Sequence, residues 1–374
     1  MKILVRVTVV LLACGLLILG LLNKPSVQQN LFIEAGRLTY SLLGAPDSLL
    51  LGPLDTIEGT EPDLFKPTIN RLTALSLDNW FSDSQTDVLL VQHRGEIVFQ
   101  RYSADAGAGL NINGMSMVKN IVALLIGIAI DEGLIGSKND SVAEYLPILA
   151  KHRHISIRDL LNHTSGIEST YEDINSTLKN EPLKRSLDQI TFSENTDFRY
   201  DNINYYLLNR ILTTVYAQPL NQIIAAKLWS PMGLERGAII NKTGYCCLFA
   251  TAESWLALGN LYLSKGIVRG RQIVPSHWLQ KMTTDRLSPK NFYVQATRSS
   301  VGNSYGYHIY SGLEVYTDYY WIEGLGLQVV MVNPKTQTII VRLGTVPSAF
   351  KLNSTYQQAS LIKQLLDILN ENLN

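Results

Sequence analysis

Ser116 and Lys119 head the stretch "INGMSMVKNIVALLIGIAIDEG", residues 112–133, which is otherwise apolar enough to be buried. On a helix, positions i and i+3 are neighbours on one face. A hydroxyl at a helix start emerges at the positive end of the dipole, where free backbone N–H groups can polarise an oxygen. Burial depresses a lysine pKa, so a neutral Lys119 could take the hydroxyl proton. The packing alternative is an N-cap serine beside an unremarkable lysine. The S-x-x-K spacing alone does not decide, because it occurs four times, starting at Ser116, Ser176, Ser348 and Ser360. Only Ser116 stands at a glycine-preceded helix start that leads into a strongly apolar helix.

A second group adds weight. Tyr200-Asp201-Asn202 is the only Y-x-N among 18 tyrosines, and it directly precedes a helical pattern. A tyrosine and an amide at i and i+2 of a loop can face one cleft. The phenol can relay a proton, and the amide can orient Lys119 or hold a substrate carbonyl. The alternative is an Asn202 helix cap beside a packing aromatic.

Composition narrows the class. A chain of 374 residues, 46% hydrophobic and 17% charged, can build one large globular domain or two modest ones. Lys+Arg and Asp+Glu balance at 32 each, so nothing calls for nucleic acid or another highly charged partner. The six histidines include no HExxH and there is no CxxC, so neither a metal nor a cofactor is expected. Cys14, Cys246 and Cys247 cannot form a disulfide framework. The adjacent pair reads as small buried residues, a vicinal disulfide being the rarer option.

The elements that must position these residues follow. Lys2 and Arg6 precede an apolar run, Val7 to Leu22, and Lys24 follows it. Residues 1–22 therefore read as an uncleaved signal anchor. A lipoprotein signal ending at Cys14 and a signal peptide cleaved elsewhere are the alternatives. Each version exports the rest, which places the body on the periplasmic or extracellular side of a membrane. Residues 23–76 have breaks at "GAP", "LGP" and "GTEP" and no sustained period, and read as a linker or stalk with room for part of it to pack on the body. From 77 onward, "TDVLLVQHRGEIVFQRY" is a hairpin turning at Arg94-Gly95. "ISIRDLLNHTSGI" is a short helix ending in a turn, and 205–216 and the stretch from about Thr251 are helices. "YYWIEGLGLQVVMVNPKTQTIIVRLGT" gives two β runs joined at Asn333-Pro334, and "STYQQASLIKQLLDILNENL" closes as a helix. Strands at both ends with helices between them predict a sheet domain, 77–374, interrupted by an all-α subdomain near 135–250.

"SMVK", "ISIRDLLNHTSGI", "FRYDNINYYLLNRIL", "LWSPMGL" and "TAESWLALGNLYLSKG" occur in the order seen in the β-lactamase-related serine hydrolases, which the chain resembles over about residues 80–370. That family spans class C β-lactamases, DD-peptidase-type penicillin-binding proteins, and an esterase and 6-aminohexanoate-oligomer hydrolase branch. The resemblance implies an α/β (α+β) fold of the β-lactamase/transpeptidase type, an antiparallel sheet flanked by helices with an inserted all-α domain. It implies Ser116 as the nucleophile forming an acyl-enzyme, Lys119 and Tyr200 as one proton-transfer unit, and Asn202 as a contact of lysine and substrate.

The third motif departs from the β-lactamase pattern. Where those enzymes carry K-T-G or H-T-G, this chain has Ile322-Glu323-Gly324 in "WIEGLGLQ". Gly324 survives, and Leu325 could supply a backbone N–H to an oxyanion hole shared with Ser116. The cation that holds a carboxylate is missing. The resemblance is therefore strongest to the esterase and aminohexanoate branch and implies neutral ester or amide substrates, small or peptide-like. Tyr171 could line the cleft, Trp321 could wall it or pack in the core, and His163 reads as structural. Glu323 is either functional or a solvated edge residue. The rival functions are a DD-peptidase or β-lactamase and a catalytically silent envelope binding protein.

Overall fold

The computed structural model describes residues 51–60, 75–84, 86–104, 106–107, 109–287, 304–313, 315–344 and 355–373. The apolar run Val7–Leu22 lies outside them, and among the described residues no helix is long and apolar enough to cross a membrane.

In chain order the elements that frame the site are β1 (Asp55–Ile57), α1 (Leu75–Asp83), β2 (Val88–His93), β3 (Glu96–Tyr102), β4 (Ile112–Asn113) and α2 (Val118–Asp131). After them come α3 (Ile157–Leu161), α4 (Tyr171–Leu178), α5 (Ile203–Tyr216), β5 (Gly237–Ile239), β6 (Leu248–Ala250), α6 (Ala252–Leu263) and α7 (Ser276–Thr284). The last are β7 (Ser304–Gly306), β8 (Ile309–Ser311), β9 (Tyr320–Gly324), β10 (Gln328–Asn333), β11 (Thr338–Leu343) and α8 (Thr355–Leu373).

Seven strands make one antiparallel sheet in the order β7-β8-β9-β10-β11-β2-β3. The β2–β3 hairpin turns where expected, with Arg94 at φ 51° and Gly95 at φ 83°, the left-handed pair that a two-residue turn needs. The sheet is covered on both faces, so its central strands are solid apolar runs. Alternation still sorts their side chains. Leu89 and Val91 join Trp80 and Phe81 of α1 and Leu365 and Leu369 of α8. Val88 and Leu90 join Trp255 and Leu258 of α6 on the other face. The N- and C-terminal helices thus back the sheet as expected.

Within the 23–76 stretch, β1 pairs with β5, Thr56 opposite Ala238, in a four-stranded sheet ordered β1-β5-β6-β4, so this part lies against the body. Two expectations need correction. The 135–250 region is not purely helical, because it holds β5, β6 and a further pair, Ile167–Glu168 with Thr191–Phe192. Strands of two or three residues are too short to leave a period in the sequence. The first late β run is two strands, β9 and β10, folded at a turn where Gly326 and Leu327 have φ 79° and 62°.

That turn is held by the neighbouring strand β11. Arg342, fully buried on β11, donates through Nη1 to the carbonyls of Gly326 (2.7 Å) and Leu327 (3.2 Å), through Nε to Thr86 Oγ1 (2.9 Å) and through Nη2 to Ser84 O (3.1 Å). Burial lowers its pKa to about 10, with the charge of Asp87 opposing the shift, so the guanidinium stays charged near neutrality.

Gly127 lets α7 lie against α2. A Cβ there would fall 2.0 Å from Trp278 Cδ1, and the Trp278 indole N–H donates to Ala123 O at 2.9 Å. Gly127→Ala is therefore expected to destabilise the fold by about 1–3 kcal/mol through overpacking. The check is the midpoint of thermal unfolding, and an unchanged midpoint would mean the two helices do not touch this closely in solution.

Candidate active site

The site begins at the junction of β4 and α2. Asn113 Oδ1 accepts from Met115 N (2.8 Å) and Gly114 N donates to Leu248 O (2.9 Å), so the chain turns sharply after β4. Met115 takes the left-handed region at φ 51°, and a single 3₁₀ turn, Met115–Met117, leads into α2. Non-glycine residues held there are uncommon and concentrate at functional sites. Ser116 sits in that turn half-buried, the more open member of its group.

Lys119, one turn on, has no exposed surface. Its Nζ donates to Ser116 Oγ at 3.0 Å and to Tyr245 O at 2.8 Å. Nζ also faces the rings of Tyr200, Tyr245 and Tyr205, with centroids at 4.9, 5.6 and 5.9 Å. Burial drives its pKa well below the ordinary lysine value, and the Asp201 carboxylate pulls the other way. The ring faces also favour a cation, but desolvation of a fully buried ammonium outweighs them. The amine is held ready to accept a proton from the oxygen it touches.

Tyr200 precedes α5 and stacks on His163, ring centroids 4.4 Å apart at 27°. Its phenol pKa is raised, first by burial; the Glu323 carboxylate adds to the rise, while hydrogen bonds with Ser116 and Tyr310 oppose it. Lysine and tyrosine are thus driven in opposite directions, toward neutral amine and intact phenol. Asp201 secures the loop: its Oδ1 accepts from Ile203 N (2.9 Å), and its Oδ2 accepts from Ser169 N (3.1 Å) and Oγ (2.9 Å). Asn202 occupies the N-cap position of α5 without a side-chain cap bond, and its Oδ1 is buried with no hydrogen-bond partner among the described residues.

Two neutral histidines brace the pocket. His163 is left-handed at φ 56°, just past α3. Its Nδ1 faces two donors, Asp201 N and Asn204 Nδ2, both at 3.2 Å, so Nδ1 accepts and Nε2 carries the proton. His308 lies in the β7–β8 turn, where Tyr307 and His308 have φ 55° and 56°. Its Nε2 meets Glu323 O at 2.7 Å and must donate, which leaves Nδ1 to accept from Tyr305 O–H at 3.2 Å. Burial, and then the nearby Lys119, push both imidazoles well below their usual pKa.

The end of β9 closes the site. A Cβ on Gly324 would lie 2.2 Å from Gly114 O and 3.0 Å from Met115 Cβ, so only glycine lets this strand meet the Ser116 turn. Leu325 follows in the β9–β10 turn, partly exposed. Trp321 is fully buried, stacked on Tyr310 (6.2 Å, 18°), with its indole N–H donating to Glu323 Oε2 at 3.1 Å. Glu323 itself is 3% exposed, so the solvated-edge reading is wrong: the residue shares a face with Trp321 behind the phenols. Tyr171 opens α4, and its side chain lies outside the described residues.

Ser116, Lys119, Tyr200 and Gly324 are therefore brought together. Missed from the sequence were Tyr245, which acts through a carbonyl that any residue carries, and His308, whose turn lacks the glycine or asparagine that marks such turns. The cysteines also need correction: Cys246 and Cys247 are bonded to each other.

A family model for β-lactamases matches residues 78–356. No curated protein sequence matches the chain. Among solved structures, a Bacillus anthracis protein named for 6-aminohexanoate-dimer hydrolysis superposes with a TM-score of 0.70 at 16% identity, covering 90% of this chain and 94% of that one. EstCE1, a hydrolase with promiscuous acyltransferase activity, gives 0.57 at 14% identity over 79% and 98%. The D-amino acid amidase of Ochrobactrum anthropi gives 0.60 at 13% identity over 80% and 99%. At these identities the likeness is one of fold, with mixed helices and antiparallel sheets. The extent of the family match goes further: this chain belongs to the β-lactamase family, within the superfamily of β-lactamase-related serine hydrolases.

Proposed function

We propose that this chain hydrolyses neutral ester or amide bonds through an acyl-enzyme on Ser116. The observation that carries the reading is the fully buried Lys119 Nζ at 3.0 Å from the half-buried Ser116 Oγ. Ser116 Oγ attacks the substrate carbonyl while its proton passes to Lys119 Nζ. The oxyanion rests on the backbone N–H groups of Ser116 and Leu325. The leaving group departs with a proton from the Lys119–Tyr200 pair, for which an intact phenol is the suited donor. Water then attacks the acyl ester and gives a proton to Lys119, which passes it to Ser116 Oγ as the acyl C–Oγ bond breaks and the acid leaves.

Glu323 favours neutral substrates, because a carboxylate buried behind Tyr200 opposes any anionic group brought to this end of the site. Likeness to structures named for amide hydrolysis and acyl transfer supports the reaction class. Export is part of the reading and rests on Lys2 and Arg6 ahead of the Val7–Leu22 run, with the body on the periplasmic or extracellular side.

The test is fluorophosphonate labelling of the full-length chain in mild detergent, with peptide mapping. Modification is expected at Ser116 and is expected to vanish in Ser116→Ala and Lys119→Ala. A panel of neutral aryl esters and amides would follow, with labelled penicillin alongside. Stable penicilloylation of Ser116 would move the assignment to a penicillin-binding or β-lactam-hydrolysing enzyme. A folded chain that takes no probe would be a binding protein.

The sign of the pH dependence follows from Lys119. The base works only when neutral, so labelling rises with pH through its depressed pKa and is lost as pH falls below it. The acid limb is expected far below the ordinary lysine range, measured as labelling rate against pH. A limb near the ordinary value would mean that Lys119 is not the base.

Gly324→Ala drives a methyl group into Gly114 O and is expected to slow Ser116 labelling about 100-fold, since displacements near 1 Å cost that much in a preorganised site. Circular dichroism would separate this from unfolding, and a full labelling rate would put Gly324 away from the nucleophile.

A further inference from the structure

One strip of chain, Tyr245–Ala250, templates both reacting side chains. Ile112 and Asn113 pair with Ala250 and Phe249. Gly114 N donates to Leu248 O (2.9 Å), and Cys247 N donates to Met115 O (3.4 Å), immediately before Ser116. Two residues earlier, Tyr245 O accepts the other hydrogen bond of Lys119 Nζ (2.8 Å). The strip is pinned from behind. Tyr245 O–H reaches Thr177 Oγ1 (2.6 Å) and Ile174 O (3.1 Å), Cys246 O accepts from Thr243 Oγ1 (2.6 Å), and Cys247 O accepts from Ile240 N (3.3 Å).

Only Cys246 lies between Tyr245, which takes the bond from Lys119, and Cys247, which makes the bond to Met115, and the two cysteines are joined to each other. A disulfide between neighbours closes a small ring through their shared peptide and restricts both backbones. Cys247 is held at φ 77°, a left-handed conformation uncommon for a side-chain-bearing residue, and the ring limits its escape from it. Opening the ring frees this peptide to leave that conformation, and the Met115 and Lys119 anchors move with it. Cys246 is partly exposed while Cys247 is 1% exposed, so the ring can be reached from the Cys246 side.

We propose that Cys246–Cys247 is a redox modification site that positions the Ser116–Lys119 pair, competent when oxidised and slowed when reduced by a dithiol. The proposal rests on the hydrolase reading above. A dithiol thiolate attacks Cys246 Sγ, forming a mixed disulfide and releasing Cys247 as a thiolate that takes a proton. The second thiol of the reductant closes on its own sulfur, breaks the mixed disulfide and leaves Cys246 as a thiol. Two electrons and two protons pass to the protein, and the reductant ends as its cyclic disulfide.

The test uses the full-length chain with and without dithiothreitol. Iodoacetamide mapping is expected to leave Cys246 and Cys247 unmodified until the dithiol is added, then to alkylate both. On reduction, Ser116 labelling should fall about tenfold or more at an unchanged thermal midpoint and return on reoxidation. The Cys246→Ser/Cys247→Ser variant should be slow and indifferent to the dithiol. Cys246→Gly/Cys247→Gly should recover part of the rate, because glycine takes left-handed backbone freely. Alkylation of both cysteines without reductant, or equal labelling rates in the two states, would overturn the proposal. If the oxidised chain does not label at all, the hydrolase reading fails, and hydrogen exchange over residues 112–119 and 245–250 still decides. Faster exchange on reduction supports the clamp, and identical exchange removes it.

Discussion

The structure depends on keeping one amine out of water. Lys119 lies at zero exposure among three tyrosine rings, and the solvation lost there drives its pKa well below the ordinary lysine value. Around it the protein spends apolar and aromatic residues in layers. The α2 helix is buried from Val118 to Ala129, Tyr205 and Tyr245 bring their rings and polar ends, and both neighbouring histidines are neutral. A charged histidine at either place would add repulsion to an already disfavoured cation. Such a centre is costly to fold, in line with the general trade between stability and reactivity.

Placing that amine is a task for backbone more than for side chains. The nucleophile turn is read off the Tyr245–Ala250 strip, the opposite wall arrives as the end of β9, and the turn after β9 is fixed by Arg342. His308 adds a bond to the Glu323 carbonyl one residue before Gly324. Several left-handed residues gather here, among them Met115, Cys247, His308 and Leu327. Each is tolerable because its neighbours over-determine it. The result is a pocket whose geometry is held from several directions, as electrostatic preorganisation requires.

Much of this was readable from residues. The spacing of Ser116 and Lys119, the apolar helix behind them and the single Y-x-N carried the core of the site. The hairpin at Arg94-Gly95, the helices ending at Tyr216 and starting after Thr251, and the closing helix were set by periodicity and turn chemistry over enough residues to be seen. What escaped has a common cause. The β1 strand and its partners are three residues long, Tyr245 works through its carbonyl, and Cys247, His308 and Leu327 take left-handed backbone that their types do not advertise. The sequence left Glu323 open between a functional residue and a solvated edge residue, since carboxylates are usually exposed; its burial beside Trp321 appears only in the fold.

The large sheet joins β2 to β11, with only β3 beyond β2, so strands from the two ends of the body pair directly. Thr86 and Arg342, which share a hydrogen bond, are 256 residues apart. A ribosome therefore delivers Ser116 and Lys119 long before it delivers Gly324, the strand that bears it, or the arginine that sets the adjoining turn. Helix α2 can form early from local contacts, but the sheet that completes the pocket waits for its last strands, and non-local pairing is the slow part of folding. A nascent or truncated chain would carry the serine and the lysine without the second wall. Assembly of the whole candidate site is thus tied to completion of the polypeptide, a consequence of strand order.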